Sequence, residues 1–322
     1  MGWRTTGDVA EFLAAAGPFL RGDRVRNTVL LTVTETIREN LALHSSGPAA
    51  ASARLPLFGW WTPQANEANE ASEANETRQA SEAPEANEAR ETRNTAAALV
   101  SGAFLHTPPF PVLLSAVPAD AAASLATETL AGRQLGGVNA YPEAAQAFAG
   151  AWRETTGGRV DEHMRNRLYR LAELTWPDPR PDGTPRLADE RDAALLTGWF
   201  DAFAREVNDF AQDADHAAAV RERLSYQGFT VWEAGGGPVS LAGVTRQVAG
   251  MARVGPVYTP PEARGHGYGS AVTAAASEGV RAAGAEEVLL FTDLANPVSN
   301  SIYQRIGYRP VEDRVVLSFG EP

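Results

Sequence analysis

Between Val257 and Ser270 the chain reads Val-Tyr-Thr-Pro-Pro-Glu-Ala-Arg-Gly-His-Gly-Tyr-Gly-Ser, a passage that few folds can accommodate. Gly250–Thr259 reads as a strand, and Pro260 and Pro261 stop it because neither can donate to a sheet ladder. Three alternating glycines, Gly265, Gly267 and Gly269, then open a helix predicted over Gly269–Ala283. A loop without Cβ atoms lets backbone approach a ligand closely. The helix it opens presents N–H groups with no intrahelical acceptor and the positive end of the helix dipole. Together these make a site for a phosphate or pyrophosphate. Arg264 can add a bidentate charge to it.

Several other readings of a glycine-rich loop fail on context. No parallel strand ending in a ribose-binding acid follows at the distance a dinucleotide fold requires. A Walker loop needs a lysine, and all 28 basic residues of this chain are arginines. Gly-x-Ser-x-Gly, the strand-to-helix elbow of a serine hydrolase, is absent. The chain has no cysteine, which excludes disulfides, thiolate zinc sites and a cysteine nucleophile. His44, His106, His163 and His216 are scattered without metal-ligand spacing, and His266 is expected to point from the loop into solvent.

The 322 residues, 44% of them hydrophobic, favour two domains over one. Residues 65–94 interrupt the first with degenerate Ala-Asn-Glu triplets, nearly devoid of side chains larger than alanine that could enter a core. This segment reads as an unstructured insertion. Around it, Val9–Leu20 is a predicted helix and Asn27–Ile37, with Val29, Leu31 and Val33 alternating, a predicted strand. Leu57–Thr62 and Ala98–Leu105 are expected as the arms of a lengthened hairpin, with a strand at Val112–Val117. Helices are expected at Asp120–Leu130 and Glu143–Arg153, and a strand or short helix at Arg165–Leu174. Four prolines within Trp176–Pro185 mark a linker or crossing arm, which puts the domain boundary at 180/181. Beyond it come helices at Asp189–Phe210 and Asp213–Gln227 and strands at Phe229–Glu233, Ser240–Gln247 and Gly250–Thr259. After the loop and its helix come strand Glu287–Thr292, helix Pro297–Ile306 and a strand near Arg314–Phe319. The expected fold is α/β, a mixed central sheet flanked by helices.

About thirty residues after the loop stands Asn296-Pro297-Val298-Ser299-Asn300-Ser301-Ile302-Tyr303-Gln304-Arg305-Ile306-Gly307-Tyr308. The pair resembles two motifs of the GCN5-related N-acetyltransferases. The first is Arg/Gln-x-x-Gly-x-Gly/Ala between a strand and a helix, here Arg264, Gly267 and Gly269. The second is an Asn, a small residue three positions on, a Tyr seven positions on and a Gly-aromatic pair. The resemblance covers roughly Arg186 to Phe319. The N-terminal half resembles a decayed second copy, with Gly136–Tyr141 similar to a strand-to-helix passage but no glycine-rich loop. It implies two acyl-CoA N-acyltransferase-like lobes in tandem, a degenerate one at 1–180 and a competent one at 181–322.

The resemblance implies acetyl-CoA as acyl donor, its pyrophosphate on the N–H groups of Gly265, His266, Gly267, Tyr268, Gly269 and Ser270. It further implies that the strand residues Val257, Tyr258 and Thr259 pair with the pantetheine arm and that a backbone N–H of that strand polarises the thioester carbonyl. Tyr303 is the candidate general acid for the departing thiolate; the alternative is a helix tyrosine packed in the core. Asn296 and Asn300 are candidates for CoA contacts, with a helix cap before Pro297 as the other reading. Glu233 and Asp293, at strand ends, are open alternatives as general base, and each is equally readable as a solvated carboxylate. The expected activity is acetyl transfer by direct attack to a primary amine of a small molecule or peptide, without a metal. The alternative is a non-catalytic CoA-binding or regulatory protein of the same fold. A net charge of −12 argues against nucleic acid as partner and suits either a cationic acceptor or simple solubility. No apolar run reaches the roughly 20 residues that span a bilayer, and the N-terminus lacks the apolar stretch of a signal peptide. A cytoplasmic protein without a membrane partner is expected.

Overall fold

The computed structural model of the protein describes residues 2–43, 56–63, 99–207 and 215–322. The triplet insertion expected at 65–94 and His44 lie outside the described residues. One order of elements occurs twice: strand, two helices, three strands, helix, strand, helix, strand. The first pass runs through β1 (Gly2–Thr6), α1 (Val9–Gly22), α2 (Thr28–Leu43), β2 (Leu57–Thr62), β3 (Gly102–His106) and β4 (Val112–Leu114). It continues through α3 (Ala119–Ser124), β5 (Gly137–Ala140), α4 (Pro142–Thr156) and β6 (Arg159–Leu171). The second runs through β7 (Thr184–Leu187), α5 (Ala193–Glu206), α6 (His216–Leu224), β8 (Phe229–Ala234), β9 (Gly237–Val244) and β10 (Met251–Tyr258). It ends with α7 (Tyr268–Ala282), β11 (Glu287–Asp293), α8 (Pro297–Arg305) and β12 (Tyr308–Gly320).

All twelve strands join one sheet in the order β1-β2-β3-β4-β5-β12-β6-β11-β10-β9-β8-β7. Its parallel pairs are β4–β5 and β10–β11, one in each half. The last strands are exchanged. β12 pairs with β5 of the first half, and β6 pairs with β11 of the second. The two exchanged strands pair with each other, antiparallel, from Tyr308↔Leu171 to Gly320↔Arg159. Each half therefore borrows its final strand from the other, and the sheet has no break at its centre.

Period-two alternation along the strands gives the sheet two apolar faces. On one, α1 and α2 bring Phe12, Leu20, Leu30 and Leu31 onto Phe58, Leu105, Leu168 and Leu289. Further along the same face, α5 and α6 bring Leu196, Phe200 and Val220 onto Phe229, Val231, Leu241 and Tyr258. On the other face, α4 packs Phe148 over Val138 and Leu317. There too α7 and α8 pack Val272 and Tyr303 over Val254, Leu290 and Trp232. Among the described residues no helix is long and apolar enough to cross a membrane.

Where the sequence predicts a strand at Asn27–Ile37, the chain is helical as α2. β-Branched residues favour strands only as a fit to a half-buried pleated surface. Here Leu30, Leu31 and Thr34 are buried at helical spacing, and the threonines satisfy their own hydroxyls. Thr32 Oγ1 donates to the Thr28 carbonyl at 2.7 Å, Thr36 Oγ1 to the Thr32 carbonyl at 3.0 Å, and Thr34 Oγ1 to the Leu30 carbonyl. Arg165–Leu174, open between strand and helix, is the second half of β6 as far as Leu171. The helix predicted from Asp189 starts as a 3-10 turn at Glu190–Asp192 and becomes α5 at Ala193.

Because each half lends its last strand, residues 1–180 and 181–322 expressed separately should each lack a cooperative unfolding transition by calorimetry. Mixing them should restore one, since β6 and β12 then regain their neighbours.

Candidate active site

β10 holds β9 along its length but leaves β11 early. It pairs with β9 at Val254↔Val244 and again at Val257↔Ala242 and Tyr258↔Leu241, with a register shift between. It pairs with β11 only through Met251↔Glu287, Ala252↔Val288 and Arg253↔Leu289. From Leu289 to Asp293, β11 stays with β6 instead. The two parallel strands therefore part, and Val254–Tyr258 is open on the β11 side. Ser240, fully buried and not singled out by its sequence context, steadies the far end of the slot. Its Oγ donates to the Tyr258 carbonyl at 3.0 Å and lies 2.8 Å from Thr259 Oγ1.

The glycine-rich loop crosses the end of this slot. Gly267 is the N-cap of α7 with φ +82°, a conformation that costs any side-chain-bearing residue about 1 kcal/mol or more. Ala271 makes the first helical bond, to the Gly267 carbonyl at 3.1 Å, and the N–H groups from Gly265 to Ser270 find no acceptor among the described residues. This is the anion-seeking end of a helix of 15 residues. His266 is exposed, as predicted, and stacks on Tyr268 with ring centroids 5.6 Å apart. Arg264 is already engaged. Its Nε donates to the Thr259 carbonyl at 2.9 Å and its Nη2 to both carboxylate oxygens of Glu206 at 2.7 and 2.8 Å. The positive potential at the loop thus comes from backbone N–H groups and the helix dipole, while Arg264 ties the loop to α5.

The proline-rich arm packs beside the loop. A Cβ on Gly267 would lie 3.9 Å from Pro181. Arg180 stacks over Trp176 at 3.9 Å, and Trp232 Nε1 donates to the Asp182 carbonyl at 2.8 Å. At its start the arm fixes the Gly-aromatic pair after α8. The N–H groups of Ala172 and Thr175 donate to the Gly307 and Ile306 carbonyls at 3.1 Å each. Gly307 has φ +106°, and a Cβ there would lie 1.8 Å from the Glu173 carbonyl oxygen, so the position admits only glycine.

α8 flanks the slot. Tyr303 is 9% exposed and shares a cluster with Val254 and Leu290, one from each parting strand. Burial pushes its phenol up to about 12, with Ser299 acting in the opposite sense, so the group keeps its proton throughout the neutral range. Asn296 caps α8, its Oδ1 accepting the Ser299 N–H at 3.0 Å ahead of Pro297. Asn300 Nδ2 donates to the Asp293 and Asn296 carbonyls at 2.8 and 2.7 Å, and its Oδ1 accepts from Tyr169 Oη at 3.0 Å. Both amides seat α8 against the end of β11, with the exchanged strand β6 supplying Tyr169.

The carboxylates considered as bases are differently placed. Glu233 accepts from Arg186 Nε at 2.7 Å, and Arg186 also grips Asp192 at 2.6 and 2.9 Å. Asp293 accepts the Ala295 N–H at 2.8 Å and lies half-buried at the end of β11. Of the histidines, His106 is buried in β3, its pKa lowered to about 4 first by desolvation and then by Arg133. His216 Nδ1 lies 2.7 Å from Asp201. No group of three or more potential metal ligands occurs among the described residues.

The corresponding place in the first half is closed. β4 and β5 pair only at Val112↔Val138 and Leu113↔Asn139. Immediately beyond, Arg314 from β12 donates through Nη2 to the Leu114 and Asn139 carbonyls at 2.6 and 3.0 Å, and through Nε to Asn139 Oδ1 at 3.0 Å. Arg314 is 5% exposed. Glu312, which accepts from Tyr141 Oη, lies 3.5 Å from Arg314 Nη1. The link from β4 to α3, Ser115-Ala-Val-Pro118, contains no glycine. The Leu114 and Asn139 carbonyls, where β4 and β5 part, are thus satisfied internally.

Residues 236–317 match the family described as FR47-like protein, a relative of the GCN5-related N-acetyltransferases. A search of curated proteins found no match. Among solved structures, a Drosophila protein is 12% identical, with 98% of this chain and 97% of that one covered and a TM-score of 0.63. An acetyltransferase of the GNAT family from Colwellia psychrerythraea is 10% identical over 82% of this chain and 99% of its own, with a TM-score of 0.48. A GCN5-related N-acetyltransferase from Sphaerobacter thermophilus is 16% identical over 82% and 96%, also with a TM-score of 0.48. The mixed α/β fold is shared with the Drosophila protein along nearly the whole chain, and the resemblance to the GCN5-related N-acetyltransferases is borne out by the FR47-like match, which spans both motifs.

Arg314→Ala should lower stability by about 3 kcal/mol, because it leaves the buried Glu312 with Arg26 as its one remaining cation and the Leu114 carbonyl without a donor. Urea unfolding monitored by tryptophan fluorescence measures the loss.

Proposed function

We propose that the protein is an acetyl-CoA-dependent N-acetyltransferase that acetylates a primary amine of a small molecule or peptide by direct attack. The observation that carries this reading is the row of acceptor-less N–H groups from Gly265 to Ser270 at the mouth of an open strand slot. The first suits a pyrophosphate, the second an extended amide-bearing arm that adds to a sheet edge. The residues present therefore fit the phosphate and pantetheine portions of acetyl-CoA, which when bound supplies the thioester acyl group.

Each part of the site then has a task. Gly265–Ser270 hold the pyrophosphate. Val257 and Tyr258 offer backbone to the arm, while Thr259, its carbonyl already taken by Arg264, holds the strand end to the loop. A backbone N–H where β10 and β11 part polarises the carbonyl under attack. Tyr303 Oη donates its proton to the departing thiolate, and the proton that the attacking amine sheds, carried by solvent, restores the phenol; a protonated phenol in an apolar setting is the form this role needs. Asn296 and Asn300 keep α8, and so Tyr303, beside the slot. With no cysteine in the chain, the amine attacks without a cysteinyl intermediate. The first half serves as a non-competent copy, its slot filled by Arg314. That filled slot leaves the first half neither a CoA site nor a catalytic one, so the rival reading, CoA binding without turnover, concerns the second half.

Acetyl-CoA at about a hundred times its Kd should stabilise the protein by about 2.7 kcal/mol. Gly267→Glu should abolish that gain while leaving the unliganded protein folded, because it puts a side chain and a negative charge against the phosphates; a retained shift would refute the loop assignment. Tyr303→Phe should lower kcat about a hundredfold with little change in CoA affinity. If no amine releases CoA from a protein that binds it tightly, the rival reading prevails.

A further inference from the structure

Arg253 is the last residue of β10 paired with β11 and stands at the foot of the open slot. Its side chain lies on the face covered by α2 and α6, opposite the face that carries α7 and α8. Nη1 donates to the Thr28 carbonyl at 2.9 Å and to Thr32 Oγ1 at 2.8 Å, with Thr28 Oγ1 at 3.3 Å. The other edge of the guanidinium, Nε and Nη2, has no partner among the described residues, and Arg253 forms no ion pair there. Arg314, the comparable arginine of the first half, has both backbone acceptors on Nη2 and a carboxylate beside it.

The surroundings of Arg253 add positive charge. Arg223, from α6, is the charged group that bears on it, and the Arg223 Nε is itself buried without a hydrogen-bond partner. Arg223 lies over the ring of Phe200 at 5.3 Å. Tyr226 donates its hydroxyl to the Val244 carbonyl at 3.1 Å. The acids of α2 and α6 are otherwise engaged: Glu39 and Glu222 approach Arg246 at 3.5 and 3.8 Å, and Glu35 pairs with Arg38. Desolvation first, then Arg223, lowers the Arg253 guanidinium to about 10, a cost that a bound anion would reverse. The free Nε/Nη2 edge is the fork that takes a carboxylate through two parallel hydrogen bonds.

We infer that Arg253 anchors a carboxylate on the acceptor, so that the amine acetylated belongs to an amino acid or another small amino-carboxylic acid. The inference rests on the acetyltransferase reading for the word acceptor, though not for the carboxylate site itself. It leaves the net charge to the other reading, simple solubility, in place of a cationic acceptor. A carboxylate held at Arg253 sets a nearby amine at the point where β10 and β11 part, facing the thioester from the side opposite α7 and α8. Glu39 and Glu222 would draw in a polyamine if left unpaired, and Arg246 engages both.

The test uses the full chain saturated with CoA and titrated calorimetrically with matched pairs: glycine and glycinamide, β-alanine and β-alaninamide, phenylalanine and phenylalaninamide, with spermidine as a purely cationic amine. In at least one pair the carboxylate should bind about tenfold tighter or more than its amide. Arg253→Gln should erase that preference and leave CoA affinity unchanged. Equal binding within every pair, no carboxylate bound at all, or a preference retained by the variant overturns the inference. If the variant fails to fold, the comparison on the unaltered protein decides alone, and Arg223→Gln, which should weaken the preference, supplies the residue-level check. Acetyl transfer measured on the same compounds separates the two claims. A carboxylate preference in binding without transfer would remove the acetyltransferase reading and leave the carboxylate site standing.

Discussion

The ladder between β6 and β12 is the contact on which the remaining structure depends. Each is the last strand of its own half and lies in the sheet of the other. Backbone hydrogen bonds at the centre of a sheet have no solvent alternative once both faces are covered, so the pairing is obligatory. Its consequences reach the candidate site directly. β11 can leave β10 after Leu289 because β6 keeps it paired to Asp293. The slot is therefore opened by a strand from the other half. The same strand carries Tyr169, whose hydroxyl donates to Asn300 and accepts from Gln304 Nε2 at 3.0 Å, so it also fixes the angle of α8.

The two halves show how one layout is opened or closed with few residues. Both contain a parallel pair whose strands part after a short ladder. In the second half a nine-residue path with two glycines leads from Thr259 to Gly267, and the helix beyond it is long. In the first, four residues lead into a helix that turns from α to π at Leu125 and ends at Thr129, and an arginine from the exchanged strand occupies the gap. The buried guanidinium is held by three hydrogen bonds and a nearby carboxylate. That is the condition under which a buried charge is tolerated.

How much was legible in the chain depended on how local the cause was. The loop could be read because prolines and glycines act on their own backbone, and Gly267 and Gly307 occupy conformations that few other residues adopt. Helices α1, α4 and α7 and strands β2, β8 and β11 could be read from spacing. α2 could not, since Val29, Val33 and Ile37 fit either period and only packing against Phe58, Leu105 and Leu289 decides. The exchange of β6 and β12 is a pairing of distant segments, on which local patterns are silent. Arg264, Ser240 and Arg253 are common residue types. What distinguishes them is a partner far away in sequence: Glu206 for the first, the Tyr258 carbonyl for the second and the α2 backbone for the third.

The charge balance of the site follows from the same geometry. The chain is strongly acidic overall, and the donor proposed for it, acetyl-CoA, is an anion, so long-range attraction would not be what brings it in. Local fields must do so, and over a few ångströms in a partly desolvated setting they outweigh a diffuse net charge screened beyond about 8–10 Å. The loop supplies that field through N–H groups, which carry no counter-ion, rather than through Arg264, which Glu206 neutralises. Arg253 is the converse case, a full charge left without a carboxylate in a chain with 40 acidic residues. Had its role been only to clamp α2 to β10, a neutral donor could have bonded the Thr28 carbonyl at a smaller desolvation cost. A guanidinium kept there with one edge open makes physical sense when an anion completes it.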